Sequence, residues 1–141
     1  MSTAIIVLTV RGKGRPRFSM RGGRPMAYNS KTTKEAEEDI VRAYLSQGGK
    51  MHHGPVEVSV TIFRAMPKSR PQRRRSEPDV FKPDSDNVMK VVLDALNGIA
   101  YQDDRFVVRE VLVKHNRVRR GRDCMIVTVK EAKGRCLVFT S

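Results

Sequence analysis

The chain has 141 residues, 39% of them hydrophobic and 30% charged, which fits one compact domain with a core of its own. No apolar run approaches the roughly 20 residues that span a bilayer, so no membrane role is expected. The net charge of +13 and a pI near 10.4 point instead to a polyanionic partner, because excess positive charge opposes compaction until something balances it.

Met1 to Val10 is apolar but has neither a basic leader nor a small-residue cleavage site. It reads as a strand of the fold, and a cytoplasmic location is expected. Within it, residues 3–10 are β-branched and apolar, as in a buried strand. Residues 11–30 are rich in Gly and Arg around Gly22-Gly23 and suggest an extended hairpin or an ordered loop. Thr32 is expected to begin a helix, with Glu35 completing a capping box and Gly48-Gly49 ending it. Ala36, Ile40, Ala43 and Tyr44 lie at helical spacing between them. Residues 55–65 alternate Val56, Val58, Val60 and Ile62 with Glu57, Ser59 and Thr61, the pattern of a half-buried strand.

Residues 66–83 hold four prolines and the Arg73-Arg74-Arg75 run, and are expected to form a long loop, mobile and basic over 67–83. A second helix is expected over 85–98, then strands near 106–114 and 124–130. The expected fold is a single α+β domain: a mixed sheet of about four to five strands with two helices packed on it. Cys124 and Cys136 have no CxxC pair and no partnered histidines, so they are expected to be reduced thiols. His52, His53 and His115 read as surface or strand residues rather than metal ligands.

The positive charge is clustered. Residues 11–24, 64–75 and 114–122 hold six, six and five basic residues and no acid, 17 of the 28 in the chain. Each cluster falls at an expected loop or strand end, which allows a shared phosphate-binding face. A solvated basic surface or an RNA-coating protein are the alternatives.

The stretch from Asp84 to Asp104 has the opposite character. It holds Asp84, Asp86, Asp94, Asp103 and Asp104, five of the 15 acids, with Lys90 as its one basic residue. Concentrated carboxylates repel one another and call for a cation or protons, and hard oxygen donors select Mg²⁺ or Mn²⁺. On a helix starting near Ser85, Asp86, Lys90, Asp94 and Asn97 share a face about 80° wide. Val88, Val91, Val92, Ala95 and Ile99 lie opposite, facing the sheet. The plainer readings are an Asp that caps the helix and a Lys90–Asp94 surface pair.

The run KPDSDNVMKVVLDALNGIAYQDDRFV, residues 82–107, resembles the signature of the RusA family of Holliday-junction resolvases, a type found in phages and prophages. That pattern is D-x-D-N, a Lys four after the second Asp, D-A-L, and a DD pair before the next strand. The opening GKGRPRFSMRGGRPMAYNSKTTKEAEEDI also resembles the family's. The loop at 67–83 departs from it, being longer and richer in proline than in compact members.

The resemblance implies a Mg²⁺-dependent endodeoxyribonuclease, with Mn²⁺ able to substitute, that resolves four-way junctions by paired symmetric nicks in recombination and repair. By position, Asp84, Asp86 and Asp104 match the metal-binding aspartates, Asp103 the weaker member of the DD pair, and Lys90 the catalytic lysine. The family precedent implies a 5′-phosphate and a 3′-hydroxyl at the nick. Two cuts in opposed strands imply a homodimer, of which the sequence itself shows no seam. Arg15, Arg17, Arg21, Arg24, Arg73, Arg74, Arg75 and Lys82 are the candidate DNA contacts, reading shape and phosphate placement. Phe18, Tyr28 or Phe81 are expected in core or loop packing, with stacking on unpaired bases as the other role. A nuclease for flaps or forks, or a non-catalytic branched-DNA-binding protein, are the competing readings.

Overall fold

The strand at the centre of the molecule is the one with the cleanest alternation. In β4 (Val56–Phe63), Val56, Val58, Val60 and Ile62 are buried while the residues between them are partly exposed. The computed structural model describes residues 2–14, 17–28 and 31–134, with side chains left out at 17–19, 21 and 25–28. Around β4 lies a four-stranded mixed sheet in the order β1-β8-β4-β6. β8 (Cys124–Glu131) pairs antiparallel with β4 on one side and with β1 (Ser2–Val7) on the other, setting Val60 opposite Val127 and Ile5 opposite Val127. β6 (Val107–Lys114) runs parallel to β4, with Val60 opposite Leu112. A parallel pair needs a long crossover, and the chain between β4 and β6 supplies it.

Two helices supply the apolar faces that complete the core. α1 (Lys31–Ser46) buries Thr33, Ala36, Ile40 and Tyr44, three and four residues apart, as an amphipathic helix does. It ends where Gly48 takes a φ of 85° and Gly49 donates its N–H to the Tyr44 carbonyl at 2.7 Å. A Cβ on Gly49 would lie 2.3 Å from the Tyr44 ring, so no larger residue fits there. α2 (Ser85–Leu96) buries Val88, Met89, Val91, Val92, Ala95 and Leu96, against α1 and the sheet. The expected hairpin forms as β2 (Arg17–Arg21) and β3 (Arg24–Tyr28), with Gly22 and Gly23 at φ of 58° and 78°. Two positive φ values match the two-residue turn favoured between twisted strands.

The segment expected as a basic loop contains a short strand, β5 (Ser76–Glu77), paired with β7 (Arg117–Val118). It is also tied by side chains. Glu77 is buried and accepts from Arg70 Nε at 3.0 Å and Arg74 Nη1 at 3.4 Å, with Arg117 Nε 3.5 Å away. Asp79, also buried, faces Lys114 Nζ at 3.7 Å. The Arg119 guanidinium donates to the carbonyls of Arg70, Pro71 and Arg74. Phe81 lies under Arg117, whose guanidinium carbon is 4.2 Å from the ring centroid. Cys124 is a free thiol, and Cys136 lies outside the described residues. No helix among the described residues is long and apolar enough to cross a membrane.

Candidate active site

Asp84 stands at the N-cap of α2, with φ −67° and ψ 150°, and its carbonyl accepts the first helical bond from Val88 N at 3.1 Å. An aspartate at that position ordinarily turns its carboxylate onto the N–H groups of the first turn. Asp84 makes no such side-chain bond. Its carboxylate is exposed, and capping does not account for it.

Asp86, Lys90 and Asp94 follow on successive turns of the exposed face of α2, opposite the buried valines, and Asn97 is its C-cap. The Lys90–Asp94 surface pair does not form. Asp94 is ion-paired with Lys13, and Lys90 has no ion-pair partner among the described residues. Lys13 arrives on a strap, residues 11–14, that crosses the start of α2. Its N–H donates to the Asn87 carbonyl at 3.1 Å, and Gly14 N–H donates to Thr33 Oγ1 at 3.0 Å. At Gly12 a Cβ would lie 2.9 Å from Pro83 Cβ and 3.1 Å from Asn87 Cβ, so glycine lets the strap lie flat beside Asp84. Glu37 on α1 completes this cluster. Burial and then the charge of Asp94 raise its carboxyl above the usual range, with Lys13 opposing.

The Asp103-Asp104 pair enters on the turn after α2. Asp103 caps a single turn of 3-10 helix (Asp104–Phe106), accepting from Arg105 N at 3.3 Å. The two neighbouring carboxyls shift in opposite directions through their mutual interaction. Asp103 is held below its usual value by the bond from Asp104 and then by the Arg105 N–H. Asp104 is pushed up by the same bond and by the charges of Asp103 and Asp94. Tyr101 sets the turn's position: its ring is buried and its hydroxyl donates to the Leu93 carbonyl of α2 at 2.7 Å. Burial, followed by the charges of Asp104 and Asp94, raises that hydroxyl far above its ordinary value, so it remains a donor.

Asp84, Asp86 and Asp104 thus lie exposed, with no ion pair to a basic side chain among the described residues. No three His, Cys, Asp or Glu side chains among the described residues gather into a metal cage. The donor set nevertheless suits a hard cation. Mg²⁺ is commonly held by one or two carboxylates, with water and substrate phosphate oxygens filling the remaining positions. Asp84 and Asp86, flanking the first residue of α2, fit that open mode.

The candidate DNA contacts divide into groups. Arg15 lies outside the described residues; Arg17 and Arg21 lie on β2, and Arg24 is exposed at the start of β3. Lys82 is exposed, and its carbonyl accepts from Arg64 Nη1 at 3.2 Å. Arg74 pairs with Glu77, whereas Arg73 and Arg75 line a cleft together with Arg119 and Arg120. Two of the three basic clusters therefore meet across that cleft, while Lys13 of the first lies against α2. Of the histidines, His52 is buried beside Tyr101 and His115 stacks on Phe63.

Glu37 and Tyr101 carry no signal in the sequence, and Lys13 stands there only as one of the six basic residues of 11–24. Lys13 sits 81 positions from Asp94, and no local spacing signals that contact.

The family profile described as endodeoxyribonuclease RusA matches residues 8–128, which takes in the strap, both helices and the whole acidic stretch. The uncharacterized protein YqaN of Bacillus subtilis (strain 168) is 33% identical over 110 residues, covering 68% of this chain and 74% of that one. A profile that spans most of the chain, with both helices and all the site carboxylates inside it, leaves one assignment: the chain belongs to the RusA family of endodeoxyribonucleases.

Proposed function

We propose that this protein is a Mg²⁺-dependent nuclease that resolves four-way DNA junctions by paired nicks, acting as a homodimer with one carboxylate site per protomer. The observation that carries the reading is the uncapped Asp84 carboxylate. It is exposed at the positive end of the α2 dipole, with Asp86 two residues on and an unpaired Lys90 one turn further, in a chain of net charge +13. A purely structural aspartate there would satisfy the helix N–H groups.

Asp84, Asp86 and Asp104, with Asp103 beside them, would hold the cation. Bound there, Mg²⁺ (or Mn²⁺) supplies Lewis-acid polarisation of the phosphodiester. Lys90 places a positive charge where negative charge grows on the phosphoryl oxygens during in-line attack by water. Lys13 neutralises Asp94, so the repulsion acting on Asp104 is limited to what a bound cation can offset. The basic side chains of Arg15, Arg17, Arg21, Arg24, Arg73, Arg75 and Lys82 would engage phosphates of the branched substrate, with selection by shape. Cleavage would leave a 5′-phosphate and a 3′-hydroxyl. Two-fold symmetry would present two such sites to opposed strands.

The test is cleavage of a synthetic mobile four-way junction in Mg²⁺, with linear duplex and flap controls, by wild type and Asp86→Asn, with binding measured in parallel. Paired symmetric nicks by wild type, and binding without nicks by the variant, are expected. Binding with no cleavage by either protein would overturn the enzyme reading in favour of a structure-selective binding module. Preferential cutting of the flap would move the substrate class.

A further inference from the structure

We infer that the cleft between the loop at 65–75 and the turn after β7 is a second nucleic-acid site, which seats a single-stranded segment apart from the carboxylate face. The cleft has a volume of about 730 Å³ and shares no residue with the acidic site. Lys68, Arg73, Arg75 and Arg120 are the free cations of its lining, and Ala65 and the largely buried Met66 its apolar part. No acid among the described residues lines it.

The basic residues of this region fall into two sets with different duties. Arg70, Arg74 and Arg117 are occupied by Glu77, Arg64 by Asp123, and Lys114 by Asp79 and the loop carbonyls. Arg119 spends its guanidinium on three loop carbonyls and so holds the wall in place. The side chains of Lys68, Arg73, Arg75 and Arg120 are exposed and form no ion pair or hydrogen bond among the described residues. The occupied set builds the wall; the free set faces an anion.

Backbone geometry at the rim agrees. Arg120 holds a φ of 62°, a left-handed conformation uncommon outside glycine and often kept at binding sites. A Cβ on the next residue, Gly121, would lie 2.9 Å from the Val118 carbonyl oxygen, so only glycine closes this turn.

A cationic lining with an apolar part suits a nucleotide strand better than a duplex. A duplex offers its phosphate rim and keeps its bases stacked inside, which would leave the apolar part of the lining uncovered. A single strand can turn a base or sugar onto that part while its phosphates meet the arginines. The inference rests on the nuclease reading only in identifying the strand as one unpaired near a branch point.

The experiment measures binding of a fluorescent oligothymidylate strand, and of an abasic phosphodiester strand of equal length, across a salt series in EDTA. Wild type, Arg73→Gln, Arg120→Gln and a charge-matched control remote from the cleft, Arg42→Gln, are compared, and wild-type junction cleavage is assayed separately. Each cleft variant should weaken oligothymidylate binding by about 3- to 10-fold and lower the salt slope by about 0.7, one single-strand phosphate contact. The control should do neither, and the abasic strand should bind wild type more weakly. Cleft variants that match the control, or an abasic strand that binds as well as oligothymidylate, would overturn the inference. Junction cleavage with unaffected cleft variants would sink the cleft and leave the nuclease standing. No cleavage, with strand binding lost in the cleft variants, would do the reverse.

Discussion

Two parts of this molecule treat carboxylates in opposite ways. In the lobe built from residues 64–83 and 117–123, every acid has a basic partner: Glu77 has three arginines, Asp79 has Lys114 and Asp123 has Arg64. Glu77 and Asp79 are also buried. Around the start of α2, Asp84, Asp86 and Asp104 are exposed and lack basic partners among the described residues, although the chain carries 28 lysines and arginines. The lesson is about purpose. A carboxylate that serves the fold is paired, because an unpaired charge taken from water is costly. A carboxylate kept wet and unpaired in a strongly basic protein stabilises nothing by itself and is available to a ligand.

Substitutions in the two regions should therefore separate activity from stability. The largest effect is expected at Asp84→Asn. Asparagine caps a helix as well as aspartate does, so the melting temperature should hold while junction nicking falls by about a thousand-fold, the several kcal/mol of a lost metal ligand. Unchanged nicking would show that the free carboxylate is idle. Glu77→Ala should do the opposite. Urea unfolding should show a loss of about 3 kcal/mol, because arginines packed around a buried acid lose their counter-charge, while nicking per folded molecule persists. A stable Glu77→Ala protein would remove the distinction drawn between the regions.

Smaller effects test the scaffold that joins them. Tyr101→Phe removes the hydroxyl that ties Leu93 to the turn carrying Asp103-Asp104, and should cost about 1 kcal/mol in thermal unfolding. The smallest concerns His52, which lies beside that tyrosine. Burial, opposed in part by Glu131, holds its imidazole below the ordinary 6.5. The unfolded chain then takes up the proton before the folded one does, so stability is full above about pH 6.5 and declines as the pH falls below it. His52→Gln should flatten that decline in melting temperature. An unchanged slope would assign it to other groups.

Local pattern made much of this legible. The alternation in 55–65 located the central strand, and the placement of Val88, Val91, Val92 and Ala95 opposite Asp86, Lys90 and Asp94 gave the orientation of α2 before any coordinates. Gly22-Gly23 marked the hairpin turn because two positive φ values are needed there. Helical spacing offers Lys90 as a neighbour for Asp94, whereas the actual partner crosses over from residue 13. The prolines, length and charge of 67–83 predict a long basic loop and carry no sign of what holds it. Its ties come from β7 and the turn beyond, such as Arg119 reaching the Arg70 carbonyl across 49 positions.

The long strands, both helices, their buried faces, the polyanionic partner class and the acidic stretch are legible along the chain, because periodicity, turn chemistry and charge all act within a few residues. Only the tertiary structure decided which charges are spent and which are free. That depends on side chains brought together from distant positions: Lys13 onto Asp94, three arginines onto Glu77, and two basic clusters across one cleft. Charge along a chain is additive and readable; its neutralisation is a matter of contact, and contact is settled by the packing of the sheet and its two helices.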